Sequence, residues 1–151
     1  YNLLNNNRIA IASSRETFIK ECGEIQPESL YIVPRVLELV KSKIHRVTVT
    51  SANLDYMGSI SIDPVLLEAA NLIPGEKVQV LSTLNGERIE TYIIEGAKGS
   101  GEVIINGPAA LKIKTGAIVI IIGYILIDVN KAKDYQPKII FPNELTNKLE
   151  F

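Results

Sequence analysis

The residues of this chain able to do chemistry are few, and the most unusual of them form a peptide bond. In Tyr56-Met57-Gly58-Ser59 a serine hydroxyl lies beside the carbonyl of its own preceding residue. Glycine tolerates backbone geometries closed to other residues, so a Gly-Ser bond can be held strained and open to attack. An N-to-O acyl shift turns that amide into an ester, and β-elimination then cuts the chain. The dehydroalanine left at the new N-terminus hydrolyses to a pyruvoyl group. Gly-Ser is also a common turn dipeptide, so its surroundings must decide between the two.

Other catalytic resources are sparse. One cysteine, Cys22, excludes an internal disulfide and a cysteine-based zinc site. With the single His45 it leaves too few soft ligands for a transition metal, and no carboxylate-rich loop offers a hard cation a home. Sixteen basic and 17 acidic residues give a net charge of −1, without the basic face of a nucleic-acid binder. A small basic pocket for an anionic substrate remains open. The longest apolar run, Ala117 to Ile127, is too short to span a bilayer and contains Gly123 and Tyr124. The expectation is a soluble, cytoplasmic domain without metal, membrane or nucleic acid.

With 151 residues, 46% of them apolar, the chain has material for one core without staples. Residues 1–34 read as an extension of unknown role: Asn-rich at first, then a short helix over Thr17–Cys22 behind a capping box at Ser13-Ser14-Arg15-Glu16, with Pro27 and Pro34 beyond. From Arg35 short β-rich runs dominate, at Ile44–Thr50, Ser59–Ile62, Lys77–Leu84, Arg88–Glu95, Glu102–Asn106, Ala117–Ile127 and Lys138–Phe141. Asp63-Pro64 starts a helix running to about Asn71, and Pro108–Lys112 reads as a helical turn. Asn85-Gly86 predicts a tight hairpin whose two central residues both take positive φ. Gly96–Gly101 is glycine-rich but lacks the Lys-Ser/Thr ending of a phosphate loop and reads as a turn. The unbroken apolar run Ala117–Ile127 suits a strand buried on both faces or lying in a subunit interface. The fold class expected is mainly β: a compact barrel with one or two short helices.

Over most of residues 35–142 the chain resembles the pyruvoyl-dependent aspartate 1-decarboxylases. The resemblance is carried by Lys43-Ile44-His45-Arg46, Tyr56-Met57-Gly58-Ser59, Asn85-Gly86-Glu87-Arg88, Thr91-Tyr92, Asn106-Gly107 and Gly116-Ala117-Ile118-Val119-Ile120, in the family's order and spacing. It implies a double-psi β-barrel over residues 35–151, self-cleavage between Gly58 and Ser59, and a homotetramer with active sites at subunit boundaries. It also implies conversion of L-aspartate to β-alanine and carbon dioxide, feeding pantothenate and coenzyme A synthesis. The chemistry agrees. Decarboxylation of an amino acid leaves a carbanion, and no side chain is a good electron sink. A pyruvoyl ketone forms a Schiff base with the substrate amine and accepts the electrons, without metal or pyridoxal phosphate.

The resemblance then assigns roles. Ser59 becomes the pyruvoyl group and Tyr92 the proton donor. Arg88, whose planar fork can grip a carboxylate, binds the substrate with Lys43 nearby; taken as residues alone, both read rather as solvated surface charges. Arg88 and Tyr92, four apart on a strand, share a face, with Cα atoms about 13 Å apart. Thr91 is assigned to substrate and to maturation, and His45 and Tyr56 lie near the processing site, His45 being as readily a hydrogen-bonded structural histidine. Asn106 can orient the substrate or the cleavage-site carbonyl, and Gly107, Ala109 and Ala110 form a small-residue loop able to approach the substrate.

Two departures stand out: Pro108 where the family usually has alanine, which removes one backbone N–H, and Ala117 in place of a frequent aspartate. Whether maturation needs an accessory protein is not readable from the residues. The competing reading is a non-catalytic small β-barrel that binds a partner or nucleic acid, since a fold alone does not specify a function.

Overall fold

The computed structural model describes residues 35–150; the helix expected over Thr17–Cys22 and the rest of the extension lie outside them. Eight strands follow one another as β1 (Val36–Thr48), β2 (Ser51–Asn53), β3 (Ser59–Ile62), β4 (Lys77–Ser82), β5 (Arg88–Glu95), β6 (Val103–Asn106), β7 (Ile118–Asp128) and β8 (Lys138–Ile140). They form one sheet in the order β2-β6-β3-β5-β4-β7-β1-β8. Helix α1 (Pro64–Ala70) follows β3, a 3₁₀ turn (Gly107–Leu111) follows β6, and α2 (Val129–Ala132) follows β7.

The sheet closes on itself through β1 and β2, which are nearly one strand. Val49 donates to the Ala117 carbonyl at 2.9 Å and Thr50 to the Val103 carbonyl at 2.8 Å, so two residues carry the chain from β7 across to β6. Pairing is antiparallel except for β1–β8, β2–β6 and β3–β5. The result is the mainly-β barrel expected. Its interior is aliphatic: Ile44, Val47, Ile60, Ile62, Val78, Val80, Ile93, Val103, Ile105, Val119 and Ile121 are fully buried.

Several elements differ from the sequence reading. Strand β1 begins at Val36, eight residues before the expected Ile44, because Val36–Ile44 pairs with the second half of β7, from Val36 opposite Asp128 to Ile44 opposite Ile121. That partner is far away in sequence, and the mixed Leu-Glu-Leu-Val-Lys stretch carries little β signal of its own. Strand β2 and helix α2 are too short to leave a pattern. The β4–β5 hairpin has a four-residue loop closed between Ser82 and Glu87, and only Gly86 takes positive φ, 71°. Asn85 instead uses its side chain, donating to the Lys112 carbonyl at 2.9 Å and accepting from the Glu87 N–H at 3.1 Å.

Two expectations resolve informatively. The Gly96–Gly101 loop is a turn, yet it does hold an anion, the chain's own Asp63. The Asp63 carboxylate accepts from the N–H groups of Val65 (2.9 Å), Gly99 (2.9 Å) and Gly101 (2.7 Å), capping α1 and pinning the loop together. Burial pushes this carboxyl up, but the hydrogen bonds from Gly101, Val65 and Gly99, with Lys148 nearby, hold it below the ordinary aspartate range. The apolar strand β7 buries only one face within the chain, at Val119, Ile121 and Gly123. Ile118, Ile120, Ile122 and Tyr124 are part-exposed on the other. Among the described residues no helix is long and apolar enough to cross a membrane.

Candidate active site

Strand β3 has the sequence Ser-Ile-Ser-Ile, and all four residues are buried. Period-two alternation sends Ile60 and Ile62 into the barrel, opposite Ile105 and Val103, and leaves Ser59 and Ser61 on the other face. Asn106, the last residue of β6, sits directly opposite Ser59 in the antiparallel register. Its Nδ2 donates to Ser59 Oγ at 3.1 Å and to Ser61 Oγ at 3.0 Å. The Ser59 hydroxyl donates to the Met57 carbonyl at 3.1 Å. The three side chains are almost wholly shielded, with exposures of 1% (Ser59), 7% (Ser61) and 3% (Asn106).

The peptide on the N-terminal side of Ser59 is gripped from behind. Gly107 has φ +73°, and a Cβ there would lie 2.7 Å from Gly58 Cα, 2.8 Å from Gly58 N and 3.0 Å from the Tyr56 carbonyl oxygen. The two backbones approach this closely because Gly107 has no side chain. Pro108 borders the same spot, its Cδ lying 3.9 Å from where a Gly58 Cβ would be. Pro108 occupies the first turn of the 3₁₀ segment, where a missing N–H is tolerated and a fixed φ is an asset. Pro108 thus stiffens the wall behind Gly58. Tyr56 is half exposed and Met57 largely so, which places the loop ahead of the bond at the surface.

Tyr92 stands one strand away. Ile60 pairs with Ile93 in the parallel β3–β5 register, so Ser59 and Tyr92, each one residue earlier, lie side by side on the face away from the core. Tyr92 is 40% exposed, its ring open to a ligand. Thr91 points to the opposite face, paired with Val78. Arg88 begins the same strand on Tyr92's face, and its Nη1 donates to Gln79 Oε1 at 2.8 Å, which also accepts from Tyr124 at 2.9 Å. Ala109 and Ala110 lie in the 3₁₀ turn; the Ala110 carbonyl accepts from the Lys114 ammonium at 2.8 Å.

Lys43 and His45 lie on β1, remote from this cluster within the chain. Lys43 pairs with Ile122, Ile122 with Gln79 and Gln79 with Glu90, so three strand spacings, about 14 Å along the sheet, separate Lys43 from β5. His45 precedes a bulge at Arg46, which has φ 66° and is ion-paired with Glu144. The imidazole packs edge-on against Phe141, with centroids 5.3 Å apart, and its buried Nδ1 has no hydrogen-bond partner among the described residues. Burial, then the nearby Lys43 and Arg46, push its pKa down against the opposing pull of Glu144. The structure thus groups Gly58, Ser59, Asn106, Gly107 and Tyr56, sets Tyr92 beside them, and leaves Arg88 at the far end of β5 with Lys43 and His45 apart. Sequence reasoning missed Ser61 as a site residue, although the alternation Ser-Ile-Ser-Ile puts it on the face of Ser59.

A model of the aspartate decarboxylase family matches residues 36–149. An aspartate 1-decarboxylase from Flavobacterium psychrophilum is 59% identical over 114 residues, covering 76% of this chain and 98% of the relative. One from Parabacteroides distasonis is 57% identical over 113 residues (75% and 97%), and one from Bacteroides thetaiotaomicron 54% over 114 (76% and 97%). Fold, site and likeness together define a small β-barrel carboxy-lyase, which decides against a non-catalytic binding module. The chain belongs to the aspartate decarboxylase family.

Proposed function

We propose that this chain cuts itself between Gly58 and Ser59 and then decarboxylates L-aspartate to β-alanine and carbon dioxide. The observation that carries the reading is the buried Ser59 hydroxyl, held between the Met57 carbonyl and the Asn106 amide while Gly107 presses on Gly58. Oγ attacks the Gly58 carbonyl carbon; the new C–O bond replaces the C–N bond, and the hydroxyl proton passes to the freed amine. Water then takes the Ser59 Cα proton as the Cβ–Oγ pair leaves on the Gly58 carboxylate. Hydrolysis of the dehydroalanine expels ammonia and leaves the ketone. A pyruvoyl group at residue 59 supplies an electron sink for the bond broken when carbon dioxide departs.

The remaining work falls to the chain's own side chains. Tyr92, beside residue 59 on the same face, is suited to return a proton to the substrate carbon. Arg88 offers two parallel N–H groups to a substrate carboxylate once it exchanges Gln79 for that stronger acceptor. Asn106 is suited to orienting the substrate; the resemblance also gives Thr91 a part in maturation and substrate binding, although its side chain lies on the face of β5 opposite Tyr92. The resemblance also gives His45 a part in processing, but like Lys43 it lies apart on β1 and could take that part only if another copy brought it there, while Gly107, Ala109 and Ala110 form a close-fitting wall.

Lys43 belongs to the substrate pocket only if another copy brings it there, being about 14 Å along the sheet from β5. A homotetramer with sites at its subunit boundaries meets that need, and the part-exposed Ile118, Ile120 and Ile122 offer an apolar face for assembly. The product fits the β-alanine supply for pantothenate and coenzyme A in the cytoplasm.

Intact mass of purified protein and carbon dioxide release from labelled aspartate test the reading. The expected sample holds two fragments, 1–58 and a carbonyl-ended 59–151, and releases carbon dioxide. Ser59→Ala remains one chain without activity. Persistent single-chain wild type, inactive under conditions that favour maturation, defeats the proposal.

A further inference from the structure

We propose that Ser61 is a positioning residue for cleavage, accepting one N–H of the Asn106 amide so that the other is aimed at Ser59 Oγ. This rests on the self-cleavage reading above. The Asn106 nitrogen lies 3.1 Å from Ser59 Oγ and 3.0 Å from Ser61 Oγ, one contact for each of its two protons. Ser59 spends its own proton on the Met57 carbonyl, so its oxygen must accept from Asn106. That requirement turns the amide nitrogen, not its oxygen, toward β3. Ser61 completes the arrangement: it occupies the second N–H and removes the amide's freedom to swing about its terminal torsion. The side chains are buried, so water is not at hand to replace the Ser61 hydroxyl.

The aim matters at one step in particular. During the acyl shift, an N–H on Oγ draws density from the nucleophile and gives no help. During elimination, the Cβ–Oγ bond breaks and its electron pair stays on Oγ as part of the departing Gly58 carboxylate. An N–H already pointed at that oxygen stabilises the developing charge. Loss of the Ser61 hydroxyl therefore slows elimination more than ester formation, and ester accumulates.

The test follows cleavage of freshly made wild type, Ser61→Ala and Ser61→Thr by intact mass, with and without hydroxylamine. Hydroxylamine cuts an ester at this position and leaves Ser59 at the new N-terminus, whereas maturation leaves a carbonyl. Ser61→Ala is expected to mature about tenfold more slowly, the loss of one buried hydrogen bond, and to contain a hydroxylamine-sensitive ester. Ser61→Thr keeps the hydroxyl and shows no ester build-up. Ester in neither variant, or in both, overturns the proposal, as does Ser61→Ala maturing at the wild-type rate. Ser61→Ala slow but free of ester assigns the serine a merely structural role and equally overturns it. A wild type that never cuts defeats the self-cleavage reading and this proposal with it; a wild type that cuts while the variants give any of these contrary results defeats this proposal alone.

Discussion

Replacing Gly107 by alanine tests the contact behind the Gly58–Ser59 bond with a single methyl group. At Gly107 the added Cβ faces Gly58 Cα at 2.7 Å and Gly58 N at 2.8 Å. Ordinary carbon–carbon contact needs about 3.5–4.0 Å, so the two backbones must part by roughly an ångström. Neither obstacle is a side chain that can rotate away. The positive φ adds about 1–2 kcal/mol of strain for a residue with a Cβ. Gly75→Ala isolates that second cost, because its φ is +81° and nothing lies within 4 Å of a Cβ there. Both variants should lose a few degrees of Tm, but only Gly107→Ala moves the scissile peptide. A displacement near 1 Å at a reacting bond is worth about a hundredfold in rate. The assay is cleaved fraction against time by intact mass, paired with thermal melting of the same samples. Gly107→Ala cleaving as fast as Gly75→Ala would refute the reasoning, since φ strain would then account for everything.

Tyr92→Phe should leave maturation intact and lower kcat for aspartate, because the hydroxyl is absent from the bonds that hold Ser59; slowed cleavage measured by mass would count against the proton-donor role. Arg88→Ala should raise KM for aspartate more than tenfold with cleavage unchanged, the loss of one charged carboxylate contact, as read from initial rates of carbon dioxide release. Asp63→Ala strands three backbone N–H groups and a helix cap, and chemical denaturation should show a loss of about 3 kcal/mol or more. The same carboxyl gives a pH signature. Its folded pKa lies below the unfolded value of about 3.9, so its contribution is complete above that pH and fades as pH falls through the folded value. The gap between wild type and Asp63→Asn should therefore narrow below about pH 4, and a pH-independent gap would show the charge to be irrelevant.

The parts of this molecule that were readable from sequence are those whose cause is local. Asp63-Pro64 marks the start of α1 because capping and a fixed φ act within one turn, and the structure starts the helix there. The alternation in Lys77–Ser82 and Arg88–Glu95 made strands visible, and the order of short motifs made the family visible. The unreadable parts depend on partners distant in the chain. The first half of β1 is a strand only because β7 lies alongside it, 80 and more residues later. That the glycine-rich loop wraps Asp63, rather than a ligand, follows from β3 and β6 running side by side, which no local pattern states. The wall that Gly107 forms behind Gly58 has the same origin. The family's motifs imply that Arg88 and Lys43 surround one substrate, and the register shows that a single chain does not bring them together.

The placement of the Gly58–Ser59 bond is one where the proposed cut would leave the barrel's shape intact. Strand β2 ends at Asn53 and β3 begins at Ser59, so the bond lies at the junction of a connecting loop and a strand. Residues 54–58, which lead up to it, belong to no strand. A cut there leaves β1 and β2 on the first fragment and β3 to β8 on the second, still joined through β1–β7, β2–β6 and β1–β8. The β1–β7 ladder alone runs from Val36 opposite Asp128 to Thr48 opposite Ile118. On the far side, β3 stays paired along β6, with residue 59 opposite Asn106, and the backbone N–H groups of Gly99 and Gly101 hold Asp63 just past Ile62. The new N-terminus would thus stay where the amide and Tyr92 flank it, while the loop carrying Tyr56 and Met57 gains freedom to move. Rigid on one side and releasable on the other, this position would let a buried serine become an accessible reactive group without the barrel opening, as the proposed maturation requires.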